Sequence, residues 1–156
     1  MIDNLLKYYR TKEDAFVGAG GSSKRDVLEF LLKDGVDVNC KDSHFGDTAL
    51  HRAASMGSVK TVAFLLDRGA AIDVLDGNRL TPLANACSKG KKMGSAVALL
   101  LLRRGADAKY VRESDGMTAY KFGLWGQCSQ EVFDALEQAG AEKPGTDFRI
   151  IQVVGQ

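Results

Sequence analysis

The chain has 156 residues, of which 45% are hydrophobic and 26% charged, with 21 lysines and arginines against 20 aspartates and glutamates. This composition is typical of one globular domain that holds its core without disulfides or a structural metal. With a net charge of +1, the chain lacks the basic excess that nucleic-acid-binding proteins use to displace counterions from phosphates.

The sequence also indicates the cellular compartment. No apolar run approaches the roughly 20 residues that a membrane-spanning helix needs, and the first residues do not resemble a secretory signal. Cys40, Cys87 and Cys128 are odd in number and far apart, which is typical of reduced thiols. We therefore expect a cytoplasmic protein that does not associate with membranes, and we also expect it to be a monomer.

Two short motifs recur along the chain in a fixed phase. The motif Leu-Leu-x-x-Gly ends at Gly35, Gly69 and Gly105, and a degraded copy ends at Gly140, so the glycines are 34, 36 and 35 residues apart. A second motif begins at Thr48, Thr81 and Thr118, which follow the preceding glycine by 13, 12 and 13 residues. Two motifs recurring on one period indicate an internal repeat.

Each repeat is predicted to form two helices and a loop. A threonine before an apolar stretch can accept a backbone N–H as an N-cap, so a short helix begins after each of these threonines. In the second copy this helix breaks at Gly57, and another follows over about residues 59–67 until the next motif glycine ends it. The Asp- and Gly-rich stretch between repeats permits a hairpin-like reversal.

The arrangement resembles the ankyrin repeat, whose signature T-P-L-H-x-A is met by residues 48–53 in all but one position. The tetratricopeptide repeat has a similar period, but its Trp and Gly-Tyr landmarks are not found. The resemblance implies an all-α solenoid of helix-turn-helix units linked by β-hairpin-like loops. It also implies that His51, at the motif's own histidine, makes a structural hydrogen bond to the backbone of a neighbouring hairpin.

In chain order, this resemblance predicts an ankyrin repeat domain over residues 1–142, with an N-terminal capping helix within residues 1–12, over about residues 4–10. Four repeats follow at about residues 13–45, 46–78, 79–115 and 116–142, and the terminal ones are degenerate caps. Residues 143–156 form an extended tail. Its apolar stretch at 148–154 is predicted to be a strand that caps the last helix pair, or alternatively an edge strand offered to another chain.

Some positions depart from the ankyrin pattern. Ala84 and Lys121 stand where the motif has histidine, and Arg79 and Gln127 stand where glycine is expected. Residues 90–94 lengthen the turn between the helices of the third repeat. These departures affect the packing of the last two repeats.

Three chemical sites can be weighed from the residues present. The glycine-rich residues 18–24 invite a phosphate-loop interpretation, but Ser23 stands where a glycine is required, and an enlarged helix-helix turn fits better. Zinc would need about four ligands, whereas Cys40 and His44 form the only near pair, so we interpret the cysteines as buried, inert thiols. We expect no catalytic residues, no cofactor and no metal, and therefore no enzyme.

The resemblance implies a concave surface formed by the hairpin tips and the first helix of each repeat. Carried over position by position, it assigns partner contacts to His44, Phe45, Asp47, Arg52, Met56, Asn78, Arg79, Leu80, Asn85, Lys89, Glu113, Met117, Phe122 and Trp125. The apolar members, Phe45, Met56, Leu80, Met117, Phe122 and Trp125, are predicted to form an exposed streak. Alternatively, Phe122 and Trp125 pack against the C-terminal tail.

These observations predict a non-catalytic module that binds a folded protein, as a stand-alone inhibitor, immunity or adaptor protein. The alternative is groove binding of a phosphate-bearing ligand or single-stranded nucleic acid by Lys89, Lys91, Arg79 and Trp125, with a steep salt dependence. A third class, hydrolase or kinase-like activity at residues 18–24, predicts that ATP raises the melting temperature.

Overall fold

The computed structural model describes residues 4, 7–22 and 24–145. In these residues the chain forms eight helices, which we number in chain order: α1 Lys12–Ser22, α2 Arg25–Lys33, α3 Ala49–Ser55, α4 Val59–Asp67, α5 Pro82–Met93, α6 Ser95–Arg103, α7 Ala119–Gly126 and α8 Gln130–Gln138. An isolated antiparallel bridge between Val111 and Thr118 is the strand-like pairing of this part of the chain. The predicted all-α class is confirmed.

The helices form two layers. The first helices of successive pairs, α1, α3, α5 and α7, pack side by side, and α6 lies between α4 and α8 in the second layer. Leucines and a phenylalanine fill the space between the layers; those that are fully buried include Phe16, Leu28, Leu50, Leu65, Leu83, Leu101 and Leu136. Because each pair buries its apolar face on its neighbours, the core is continuous along the stack.

The predicted helix boundaries follow from local capping. Thr48, Thr81 and Thr118 each accept a hydrogen bond from the backbone N–H three residues later, at 3.4, 3.2 and 3.3 Å respectively. The motif glycines lie just past the ends of the second helices with φ between 85° and 89°. The N-cap and helix-end predictions are thus confirmed.

Two non-glycine residues occupy the left-handed region. Arg79 has a φ of 61° and Gln127 a φ of 57°, at the two positions where the repeat pattern expects glycine. A side chain in this conformation costs about 1–2 kcal/mol because its Cβ crowds the following carbonyl oxygen. The repeat geometry therefore imposes a glycine conformation on residues that do not favour it.

The lengthened turn of the third repeat is also present. Gly90, with φ 68° and ψ −158°, breaks the helical path inside α5, and residues 91–93 make one further turn before Gly94 precedes α6. This conformation lies in a region of the backbone map that is essentially restricted to glycine. The break precedes a short segment that contains Lys91 and Lys92.

The interpretation of residues 18–24 as an enlarged turn was wrong. Gly18, Gly20 and Gly21 lie inside α1, which continues to Ser22. A Cβ on Gly18 would lie 2.6 Å from the ring of Tyr9, and one on Gly20 would lie 2.6 Å from the carbonyl oxygen of Ala49. These glycines let neighbouring groups approach closely, so packing explains them.

Part of the predicted termini lies outside the described residues. Of the helix predicted over residues 4–10, Asn4 is helical and residues 5–6 lie outside the described set. Residues 7–10 are not helical, since residues 7–8 form a turn, so the prediction was wrong there. The predicted strand at 148–154, and both interpretations of the tail, lie wholly outside it.

The hairpins are joined to one another by hydrogen bonds that link successive repeats. The Asn39 side-chain oxygen accepts from the Ala71 N–H at 2.7 Å, and Asp73 accepts from the Asp107 N–H one repeat later at 2.9 Å. At the tips, the Gly77 N–H donates to the carbonyl of Phe45 at 2.9 Å. These bonds place the hairpin tips in one row.

Candidate partner-binding surface

His51 is a structural residue at the base of the hairpin that contains Leu80. Its Nε2 donates to the carbonyl of Leu80 at 3.0 Å, and its Nδ1 accepts from the Thr48 N–H at 3.2 Å. A carbonyl can only accept, so Nε2 carries a proton, and a backbone N–H can only donate, so Nδ1 does not; the ring is the neutral tautomer protonated on Nε2. Burial lowers the pKa of His51, which favours this neutral form. The structural role implied by the family resemblance is confirmed.

The hairpin that carries Phe45 is held by a compact polar network. Asp42 accepts from the Phe45 N–H at 2.8 Å, and Arg52 bridges Asp42 and Asp47 at 3.2 and 3.0 Å. Burial opposes ionisation of Asp42, but the hydrogen bonds from Phe45 and Arg52 outweigh it and lower the pKa of Asp42. The guanidinium of Arg52 also lies 5.4 Å from the centre of the Phe45 ring. Phe45 is thus fixed in place while 58% exposed.

In the next hairpin an aspartate again accepts hydrogen bonds from backbone N–H groups. Asp76 accepts from the Asn78 N–H at 2.8 Å and from the Leu80 N–H at 2.9 Å. The Tyr110 hydroxyl donates to the carbonyl of Arg79 at 3.0 Å. The backbone of Arg79 is therefore held firmly, whereas its exposed guanidinium forms no ion pair within the part of the chain that the structure describes.

The last hairpin buries Phe122, which corrects its predicted exposure. Arg112 pairs with Asp115 through its Nε at 2.9 Å and places its guanidinium 5.4 Å from the centre of the Phe122 ring. Phe122 is only 5% exposed as a result of this cover and the packing beneath it. Trp125, with its ring 6.5 Å from that of Phe122, is 64% exposed.

The predicted surface residues separate into three groups. His44, Phe45, Met56, Asn78, Arg79, Lys89, Glu113 and Trp125 are exposed; Asp47, Arg52, Leu80, Asn85 and Met117 are half-buried; Phe122 is buried. The predicted continuous apolar streak was wrong, because Leu80 and Met117 pack on the core. What remains is a set of isolated exposed anchors, Phe45, Met56 and Trp125, along the row.

Four exposed large hydrophobic residues were absent from the sequence-based surface, and Val59, at 38%, is the least exposed of them. Tyr8 is 85% exposed, Val111 49% and Met93 44%. The exposure of Met93 could have been predicted from the sequence, since Met93 ends the basic insertion of the third repeat. Nothing in the sequence distinguishes Tyr8 from the neighbouring Tyr9, whose ring packs against Gly18.

A small depression near the N-terminal end of this face gathers polar groups. It has a volume of about 140 Å³ and is lined in part by Tyr9, Asp14, Asp42 and Arg52. Its carboxylates are already engaged, because Asp14 accepts from the N–H and hydroxyl of Ser43 at 2.8 and 3.1 Å. The arrangement stabilises the hairpin.

The prediction that all three cysteines are buried holds for two of them. Cys87 and Cys128 are buried, with the Cys128 thiol donating to the carbonyl of Cys87 at 3.3 Å, but Cys40 is half-exposed. Desolvation, with nearby acidic side chains, raises the pKa of Cys40 to about 12, so its thiol is a poor nucleophile. Within residues 7–22 and 24–145, no three His, Cys, Asp or Glu side chains come together as metal ligands.

The stacked helix pairs, the row of capped hairpins and the buried histidine define a repeat protein. The chain belongs to the ankyrin repeat family, because residues 17–112, more than half of its length, match the family described as Ankyrin repeats (3 copies). Ankyrin repeats are generally protein–protein interaction modules, and the family is typically non-catalytic. In the described part of the chain, no helix is both long and apolar enough to span a membrane.

Individual relatives share this region. The chain is 38% identical over 87 residues to Inversin of Danio rerio, which covers 50% of this chain and 8% of that protein. It is 38% identical over 90 residues to a probable 26S proteasome regulatory subunit, p28, of Saccharomyces cerevisiae, covering 57% of this chain and 38% of that protein. It is 34% identical over 125 residues to the ankyrin repeat domain-containing protein SAT10 of Stachybotrys chartarum, covering 80% and 6% respectively. The chain therefore spans well under half the length of these relatives.

Proposed function

We propose that this chain binds a folded protein through the concave row of hairpin tips and first helices, and that it acts in the cytoplasm as an inhibitor, immunity or adaptor protein. The observation that carries the proposal is the state of Phe45. Its ring is exposed, yet its backbone N–H is bound by Asp42 and its ring is flanked by Arg52. An exposed aromatic that is already ordered loses little conformational entropy on binding.

The neighbouring residues suit the same role. Arg79 presents an exposed guanidinium on a fixed backbone, and Trp125 is exposed at the far end of the row. Arginine and tryptophan are enriched among the residues that carry most of the energy of protein interfaces. A relative named as a probable proteasome regulatory subunit supports a regulatory role.

Affinity capture from a host lysate tests the proposal. The test variant combines Phe45→Ala and Arg79→Ala, and the matched control combines Lys33→Ala and Lys60→Ala, which are exposed on the second helices. We expect the unmodified chain and the control to retain one stoichiometric protein that the test variant loses. Retention by the test variant, with its fold verified by circular dichroism, would show that the concave row is not the binding surface.

A further inference from the structure

The turns that join the two helices of each pair form an edge that adjoins the row of hairpin tips and first helices and shares Met56, Lys89 and Trp125 with it. A Cβ placed on Gly57 would overlap the carbonyl of Met93, and one on Gly90 would overlap the carbonyl of Gly126. The turns of the second, third and fourth pairs therefore touch through their backbones. We call this surface the turn edge and define it by the exposed residues Met56, Lys89, Lys91, Lys92, Met93 and Trp125.

The turn edge is strongly basic although the chain is almost neutral. Lys89, Lys91 and Lys92 lie within four residues of one another, and residues 77–106 around them contain no aspartate or glutamate, whereas the net charge of all 156 residues is +1. Lys89, Lys91 and Lys92 are exposed and form no ion pair with any residue of the described ranges. Their positive charge is available to a partner.

Apolar side chains flank these lysines on both sides. Met56 is 54% exposed, Met93 44% and Trp125 64%. Methionine side chains adapt to partners of varied shape, and tryptophan supplies a large contact area at low entropic cost. The combination fits a ligand that carries both negative charge and apolar groups.

We propose that the turn edge binds an acidic protein segment whose aspartates and glutamates face the three lysines and whose apolar side chains contact Met56, Met93 and Trp125. This inference rests on the proposed function and specifies the chemistry of the partner. A nucleic acid fits less well for two reasons. The cluster contains lysines and no arginine that could bind a phosphate through two hydrogen bonds, and two of its apolar side chains are methionines, which cannot stack on bases.

Peptide display on the purified chain tests the proposal and does not require the natural partner to be identified first. A library of random peptides of about 12 residues is selected on the immobilised chain, and individual winners are synthesised and titrated. The test variants are Lys91→Glu with Lys92→Glu, and Trp125→Ala. The control, Lys33→Glu with Lys60→Glu, makes the same charge change on exposed lysines of the second helices.

We expect the selected peptides to be enriched in Asp and Glu together with aromatic or aliphatic residues. Their dissociation constants should rise about tenfold or more in each test variant and stay within about twofold in the control. Binding should also weaken as salt is added.

Four binding results would overturn the proposal, and a complete absence of binding would overturn it together with the proposed function. The first is a peptide pool without acidic bias. The second is equal binding of the peptides to the Lys91→Glu, Lys92→Glu variant and to its control. The third is tighter binding of an oligothymidine of about 20 nucleotides than of any peptide. The fourth is a set of peptides lost by Phe45→Ala with Arg79→Ala but kept by the lysine variant, which rejects the turn edge and leaves the proposed function intact. If no peptide and no captured protein binds at all, both fail together.

Discussion

The backbones of Gly90 and Gly126 lie in direct contact, so that any side chain on Gly90 would overlap the carbonyl of Gly126. This contact joins the broken end of α5 to the end of α7. It explains how the lengthened turn of the third repeat is accommodated without separating the two repeats.

Replacing Gly90 should therefore destabilise the protein sharply. Gly90→Ala combines a steric overlap with a backbone conformation that disfavours alanine, and we expect a loss of about 3 kcal/mol in the free energy of unfolding, measured by urea denaturation. Gly105→Ala is the control, since Gly105 also has a positive φ but has no atom within 4 Å of a built Cβ. The control should cost only about 1 kcal/mol, and equal losses would contradict the importance of the contact.

Gln127 should gain stability when changed to glycine. Its φ of 57° strains a residue with a Cβ, so Gln127→Gly is expected to raise the free energy of unfolding by about 1 kcal/mol. Gln127→Ala keeps the Cβ and serves as the control, with no gain expected. If alanine stabilised as much as glycine, loss of the glutamine side chain would be the cause instead of relief of strain.

His51 should make the protein sensitive to mild acid. Burial lowers the pKa of His51 in the folded chain below its ordinary value of 6.5, so the unfolded chain binds more protons as the pH falls. The stabilising contribution is present above about pH 6.5 and is lost as the pH decreases through the folded-state value. Urea denaturation at about pH 7.5 and pH 5.5 measures this loss.

Two variants separate His51 from other titrating groups. His51→Gln should cost about 1–2 kcal/mol near neutral pH and reduce the loss of stability between the two pH values. His44→Gln, which alters an exposed histidine, should leave that loss unchanged. An unchanged pH response in His51→Gln would mean that other groups cause it.

Phe122 and Trp125 lie three residues apart on α7 yet should differ widely in their effects. Phe122→Ala removes a ring that is 5% exposed and should cost about 3–5 kcal/mol. Trp125→Ala removes a ring that is 64% exposed and should cost less than about 1 kcal/mol. Thermal and urea denaturation of the two variants measure this difference, and similar losses would contradict the burial of Phe122 or the exposure of Trp125.

Much of the fold was accessible from the sequence because its signals are local. Thr48, Thr81 and Thr118 cap helices through hydrogen bonds within three residues, and the motif glycines end helices by their own backbone conformation. The phase of the repeat also marked Arg79 and Gln127 as glycine positions, and both adopt positive φ.

The glycine-rich residues 18–22 show where local reasoning fails. Their composition favours a loop, but they are helical because Gly20 lies against the backbone of Ala49 in the next repeat. That neighbour is distant in sequence, so composition carries no trace of it. Packing between repeats outweighs the weak helix propensity of glycine.

Some features of the candidate surface could likewise be predicted from the sequence, and others could not. Short motifs in phase predicted the repeat, the helices that follow Thr48, Thr81 and Thr118, and the hairpins that form the row, while the structural role of His51 was implied by the family resemblance. The burial of Phe122 under Arg112, the packing of Leu80 and Met117 on the core, and the edge formed by the turns from Met56 to Trp125 depend on the tertiary structure. Exposure depends on side chains supplied by other repeats, and no single repeat's sequence specifies its neighbours' contacts.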